Sequence, residues 1–380
     1  MLFLYIWLLA AVFMAKGIVA ESTTDYFSLL ERANDQCDAD HINHMNQYID
    51  DSITLANSFI SAMDAALKED DGGQDGINGI VARRLFTVWF GIEFGGALGE
   101  DPAPTAGTMA IWEAMQTAFD AVHNVLDTET FVGPGLTNDK PFLSCTGEFA
   151  QKYSWGDQAY NTDGYLIPGN SIADFWDEDD TKAPWWIDEV SMYIFNTAQA
   201  EDNMCDEYVD GKGKLIQMYA YSMQGDDEGV RKTNTGQLIY TANKKPGLLM
   251  CPVTFERDID ILDDVEWKDP SGKTQISQMY PLGSITMFHE LFHLSTYWLE
   301  TTNADGDPEY NTNPTYIRDV TYDPFECLQL AQDNAAQTVT NAQTYAFFAF
   351  SYWYFEQNWG GNTPATFYPG YLVVWNDLFG

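Results

Sequence analysis

The stretch PLGSITMFHELFHLSTYWLE, residues 281–300, leaves this chain the least freedom. Pro281, Gly283 and Ser284 signal a helix start, with Ser284 the expected N-cap. From Ile285 onward the segment is apolar on nearly every side, and such a helix belongs in a core. Yet His289, Glu290 and His293 sit in its middle. Residues four apart on a helix stand one above the other, with Cβ atoms about 5–6 Å apart, so His289 and His293 can offer ring nitrogens to one metal ion. Glu290, turned by about 100° from His289, cannot easily join them and is left to hold a water beside the metal. The H-E-x-x-H spacing carries this chemistry: two neutral imidazoles hold Zn2+, the ion lowers the pKa of water, and the glutamate accepts the proton as general base. The alternative is a helix with two hydrogen-bonded histidines. With five histidines in 380 residues, a chance pairing at this spacing is the weaker explanation.

A tetrahedral zinc that keeps one position for water needs a third protein ligand. No histidine follows His293, which excludes the extended pattern with three histidine ligands. The candidates are the downstream acids Glu300, Asp305, Asp307, Glu309, Asp319, Asp323 and Glu326. His41, His44 and His123 have no second ligand type at metal spacing and read as structural or solvent-facing.

Around this segment the apolar periodicity sets the fold class. Ile42, Met45, Ile49, Ile53, Ala56, Ile60, Met63 and Leu67 recur at helical steps and predict a long amphipathic helix over 38–68. The run DDGGQDGING breaks it. A second helix is expected over 79–94, and a third over 107–127 with Ile111, Met115, Phe119, Val122 and Leu126 on one side. Residues 128–190, rich in Gly, Pro, Asp and Trp, read as long loops with short elements. Their acidic run DFWDEDD reads as solvated surface, since it lacks the spacing of a calcium loop. KLIQMYAYSM, QLIYTA and GLLMCPVTF read as strands, the last two joined by NKKP as a hairpin. The expectation is an α+β fold with N-terminal helices, a small antiparallel sheet, the active helix and C-terminal helices. It forms a single domain over 21–380 with a loop-rich insertion at about 95–189.

Residues 1–20 read as a secretory signal cut near Ala20, and no later run is apolar enough to span a bilayer, so the mature protein is expected to be extracellular and a monomer. A formal charge of −39 repels phosphates and argues against nucleic acid and anionic membranes as partners. Five cysteines bound for an oxidising compartment imply disulfides, with at least one thiol left over.

Four segments, in order, carry a family resemblance: VWFG at 88–91, LLMCPVTF ahead of the active helix, YIRDVTYD at 316–323, and NAQTYAFF at 341–348. With HELFH they make the chain resemble the aspzincin metallopeptidases, which include fungal deuterolysin and the lysine-specific metallo-endopeptidases. The likeness spans roughly 38–94 and 190–355. In that family the aspartate of a G-T-x-D-x-x-Y-G segment is the third ligand. Here Asp319 and Tyr322 keep the three-residue spacing, while the flanking glycines and the threonine are replaced.

The resemblance implies a zincin-like fold and a secreted zinc endopeptidase, with Zn2+ on His289, His293 and Asp319. Glu326, as in glutamate-ligand zincins, is the alternative third ligand. Glu290 would be the general base and Tyr322 the oxyanion donor. The acids that bind lysine in the lysine-specific members are replaced here by Gln343 and Ala346. A strict lysine pocket is therefore not implied, and the acidic chain suggests only a graded preference for protein or peptide substrates with basic residues near the cleavage site. Cysteines near Cys205 and Cys251 are paired in the family, which implies a disulfide between them. The rival reading is a zinc-binding secreted or surface protein of the same fold that does not cleave, and the intact Glu290 argues against it. A glycosidase with paired carboxylates rests only on acidic and aromatic composition.

Overall fold

The computed structural model describes residues 22–374 apart from 31–36, 69–73, 97–100, 132–139, 162, 190, 210–212, 214, 224–230, 233–237, 240–245, 297–300, 303–307, 310–316, 358 and 360–361. The expected signal segment lies outside the described residues. The chain mixes helices with several small sheets, an α+β arrangement.

Helix α1, Ala39–Ala66, starts where the Asp38 carboxylate accepts from the His41 N–H at 2.8 Å, an N-cap bond. Its buried stripe runs through Met45, Tyr48, Ile49, Ser52, Leu55, Ala56, Phe59 and Ala62. Ile42, Ile53, Ile60 and Met63 stand at the edge of that stripe. The rings decide the rotation, since aromatics bury the most area: Phe59 stacks on Phe119 at 4.3 Å and packs on Phe348 at 4.7 Å.

Helix α2, Gln74–Phe90, begins earlier than expected, inside the glycine-rich run. A Cβ on Gly79 would press on the Ala65 carbonyl of α1, so this glycine permits a close helix crossing and does not end a helix. Gly91, at φ +67°, stops α2 in the left-handed conformation that favours glycine. Helix α3, Met109–Thr128, buries Met115, Phe119, Val122 and Leu126 as expected.

Helix α4, Leu282–Thr296, carries His289, Glu290 and His293, and every residue from Gly283 to Thr296 is buried. It starts two residues before Ser284, so Ser284 is not its N-cap. The free N–H groups of the first turn are taken by the preceding loop: Leu282 donates to the Ile259 carbonyl at 3.1 Å, Gly283 to Asp260 Oδ1 at 3.1 Å, and Ser284 to the Asp260 carbonyl at 3.1 Å. The Ser284 hydroxyl instead donates to Asp51 of α1 at 2.5 Å. Helix α5, Pro324–Asp333, is capped by Asp323. Helix α6, Ala342–Glu356, is buried from Ala342 to Phe355. Helices α1, α3 and α6 pack around α4.

The strands used below are β1 Ser28–Leu29, β2 Phe142–Ser144, β3 Ala150–Lys152, β4 Lys182–Ile187, β5 Met192–Thr197, β6 Ala220–Met223 and β7 Gly247–Met250. Four of them form a sheet of order β1-β2-β7-β6, parallel except for the antiparallel pair β7 and β6. The expected small antiparallel sheet is therefore mixed, because β1 and β2 are separated in sequence by α1–α3, a connection long enough for parallel pairing. Among the described residues, the expected hairpin of QLIYTA with GLLMCPVTF is not seen. Leu238–Ile239 pairs with Arg231–Lys232, and β7 lies between β2 and β6. All four β7 residues are buried, which an interior position satisfies and an edge does not.

The region expected as long loops with short elements supplies β3 and β4, which β5 completes into a three-stranded antiparallel sheet, β3-β4-β5. Trp155 stacks on Phe195 at 5.4 Å and Tyr160 on Trp186 at 4.7 Å. In DFWDEDD, Phe175 and Trp176 turn into this aromatic cluster while Asp174, Asp177, Glu178 and Asp180 face solvent.

The cysteines form two disulfides, Cys37–Cys145 and Cys205–Cys251, and leave Cys327 as a buried thiol. The second pair is the one that the resemblance implied. Among the described residues no helix is long and apolar enough to cross a membrane.

Candidate metal centre

The buried face of α4 brings His289 and His293 together with their Nε2 atoms 3.1 Å apart. Asp319, from the segment ahead of α5, places Oδ1 at 3.0 Å from His289 Nε2 and 2.9 Å from His293 Nε2. Among the described residues, these three form the group that can hold a metal ion. A tetrahedral zinc with ligands at about 2.0–2.1 Å has ligand-to-ligand edges of about 3.3–3.4 Å, so the triangle needs to open only slightly.

Hydrogen bonding gives an independent test of fit. Gln343 Oε1 lies 3.0 Å from His289 Nδ1, so in the neutral imidazole that nitrogen carries the proton and Nε2 presents its lone pair. The Asp319 carboxylate also only accepts. The lone pairs of His289 Nε2 and Asp319 Oδ1 therefore face one point beside His293 Nε2, where one cation can engage all three. The side chains of His289 and His293 are 5% and 8% exposed while that of Asp319 is 37% exposed, so the centre is closed on the helix side and open toward Asp319. Burial alone raises the Asp319 pKa, but hydrogen bonds and charge from the two histidines prevail and hold it well below the usual carboxylate range. Burial lowers His289, and Asp319 with Glu290 reverses that, leaving it raised.

Asn341, immediately before α6 and fully buried, fixes the Asp319 segment. Its Oδ1 accepts from the N–H groups of Val320 at 3.1 Å and Thr321 at 3.2 Å. Its Nδ2 donates to Thr344 Oγ1 at 3.0 Å and Cys327 Sγ at 3.4 Å. The Arg318 N–H donates to the Thr340 carbonyl at 2.6 Å. Glu326, the alternative third ligand, lies outside the group and accepts from Thr321 Oγ1. Asp323 is occupied as the cap of α5. Glu300, Asp305 and Asp307 lie outside the described residues, as does the Glu309 side chain.

Glu290 sits beside the triangle and not in it. Ser222 of edge strand β6 donates its hydroxyl to Glu290 Oε2 at 2.5 Å, while Oε1 is 4.0 Å from His289 Nε2. Tyr322 stacks on the His289 ring, with centroids 5.7 Å apart and planes at 22°. Although the residue is 60% exposed, burial at its hydroxyl end, followed by the Asp319 charge, pushes the phenol's pKa up and keeps it a proton donor.

These side chains line one cleft of about 1060 Å3, walled by α4 on one side and by residues 215–222 on the other. The other histidines stay out of it: His41 packs on Phe255 at 4.6 Å, the His44 ring bonds the Asp40 carbonyl, and His123 stacks on Phe119. Sequence reasoning missed Ser222 and Asn341 as site residues and gave Gln343 a different place, as the replacement for a lysine-binding acid. Only the Asn341 segment had a signal, as part of NAQTYAFF. No protein-family profile, curated protein or solved structure matches this chain.

Proposed function

We propose that the chain is a secreted zinc endopeptidase of the aspzincin type. The observation that carries the reading is the position of Glu290: buried, held by Ser222 through one oxygen, and set just outside three converging donors at the floor of an open cleft. A site that only captured metal would have no use for a base there. The edge strand β6 lines the same cleft, and such an edge can take an extended peptide by backbone pairing. Two disulfides fit an oxidising, extracellular destination.

His289, His293 and Asp319 would hold the zinc, which supplies Lewis acidity to the peptide carbonyl and to water. Glu290 removes a proton from water as its oxygen bonds to the carbonyl carbon. The same carboxyl then gives that proton to the peptide nitrogen as the C–N bond breaks. Gln343 keeps the His289 proton on Nδ1, and Ser222 fixes the angle of Glu290. The Tyr322 hydroxyl, kept protonated, donates to the carbonyl oxygen as its negative charge develops.

The test is zinc content and peptide cleavage for wild type, Glu290→Gln, Asp319→Ala and Glu326→Ala. Glu290→Gln should keep zinc and lose about 10²–10⁴-fold in turnover. Asp319→Ala should lose zinc, and Glu326→Ala should keep it. Equal turnover in wild type and Glu290→Gln removes the base from the mechanism. Zinc without cleavage in wild type supports the zinc-holding protein instead.

A further inference from the structure

The lining of the cleft says what the substrate should carry. Along α4, the residues facing it follow helical steps: Leu282, Ile285 and Thr286, then His289, Glu290 and His293. The stripe that ends in the metal centre therefore begins as an apolar surface one to two turns upstream. Across from it stand Met218 and Tyr219. Tyr219 is held in place by Arg257, which donates to its hydroxyl at 2.8 Å and lies over its ring at 5.5 Å. Tyr280, packed on Phe347 at 5.5 Å, closes that end.

The carboxylates among the lining residues are Glu290 and Asp319, both already engaged by the chemistry, and the lining cation is Arg318. The two positions that would supply lysine-binding acids by resemblance do not provide any: Gln343 is bonded to His289, and Ala346 is fully buried and off the cleft wall. Among the described lining residues, a lysine ammonium entering here finds no carboxylate that is not already engaged.

The rim points the same way. Seven large apolar side chains are exposed among the described residues, and Leu215 and Tyr322 of these line the cleft. Val209 adjoins it as the cross-strand partner of Leu215, and Val320 sits beside Asp319. Two of the seven thus line one opening and a third pairs beside it, a pattern that marks an interaction site.

We infer that this cleft selects a peptide with a bulky aliphatic or aromatic side chain beside the bond to be cut, lodged between Tyr219, Tyr280 and the Leu282–Ile285 face of α4. The inference rests on the peptidase reading for the cut itself, and the recognition can be read without cutting. Leu282 is half-buried and is the first residue of α4, where a glutamate also suits the helix dipole, so Leu282→Glu changes the pocket with little risk to the fold.

The experiment uses one peptide series differing only at a central position (Phe, Leu, Ala, Lys, Glu). Cleavage is followed with the zinc-loaded full chain, and binding by calorimetry with Glu290→Gln. The Phe and Leu peptides should be bound and cut about 10–200-fold better than the Ala and Lys peptides. Leu282→Glu, with zinc content and circular dichroism unchanged, should lose at least about tenfold on Phe and improve on Lys. Cleavage beside lysine in preference to Phe overturns the inference and leaves the peptidase standing. Apolar-selective binding without cleavage sustains the inference and overturns the peptidase. Equal binding and cutting of all five peptides, or a Leu282→Glu variant with unchanged selectivity, overturns the inference. No binding and no cleavage of any peptide overturns both.

Discussion

Replacing Asn341 with alanine should loosen the metal centre without touching a ligand. The side chain is fully buried and makes four hydrogen bonds, two of them to the backbone N–H groups that follow Asp319. Those two N–H groups lie in a partly buried stretch, and losing their acceptor costs about 0.5–1.5 kcal/mol each, with a further contribution from the abandoned Thr344 and Cys327 partners. The sum is about 2–3 kcal/mol, charged to the order of one short segment. Removing a group that orients a metal ligand commonly lowers metal affinity about 10–100-fold, which is about 1.4–2.8 kcal/mol on the scale of 1.4 kcal/mol per decade. The two estimates agree, so most of the lost order should appear as lost zinc affinity. Zinc affinity by competition with a chelating indicator, beside urea unfolding of the metal-free protein, measures both. Metal-free stability reduced by 2–3 kcal/mol with zinc affinity within about twofold of wild type would refute the reasoning.

Three further outcomes follow from the same geometry. Gln343→Leu leaves His289 Nδ1 without its partner at 3.0 Å and should lower zinc affinity about tenfold or more in chelator competition. Gly283→Ala drives a methyl group into the Tyr48 ring, where α1 and α4 meet, and should cost about 1–3 kcal/mol in urea unfolding. Burial pushes the Asp51 carboxyl above its ordinary value of 3.8, against the opposing pull of Ser284, Leu262 and Gln47. Its stabilising contribution is complete below that value and is lost as pH rises through the folded pKa. Asp51→Asn stays neutral, its amide oxygen can still accept from Leu262 and Ser284, and its stability relative to wild type should therefore increase from pH 4 toward neutrality in a urea series; a pH-independent difference would contradict this.

What the sequence disclosed was what neighbouring residues decide. Helix α1 was legible from a regular apolar period, and α4 from an apolar run that only a core can hold. The start of α2 was not, because Gly79 looks like a breaker until the Ala65 carbonyl lies against it. The strand GLLM was visible as a strand, but its partners were not: being apolar on both faces, it takes an interior place, and the sheet supplies neighbours from residues 142–144 and 220–223. In the site, His289, Glu290 and His293 lie within one stretch of helix and their spacing carries their chemistry. Asp319 could be singled out from the other acids only through resemblance, since no local rule separates it from Asp323 or Glu326.

Ser222, Gln343 and Asn341 escaped for a different reason. Each is an uncharged polar residue with no spacing relation to α4, and each acquires its role from what must be satisfied there. Placing His289, Glu290 and His293 in a core is unfavourable unless every polar atom finds a partner. The fold meets this demand from three directions: β6 supplies Ser222 to Glu290, α6 supplies Gln343 to His289, and the Asn341-bound segment supplies Asp319 to both histidines. Those partners settle the chemistry as well as the burial. Gln343 fixes which nitrogen carries the proton, so His289 must turn its lone pair inward. Asp319 then adds an acceptor beside the His289 lone pair and His293 Nε2, on the side of the centre that opens to the cleft. Such an arrangement is stable with a proton or a cation between its members and poorly stable without one. The same burial that forces these polar partners on α4 therefore gathers a group that can hold a cation, and leaves Glu290, already satisfied by Ser222, beside that group and outside it.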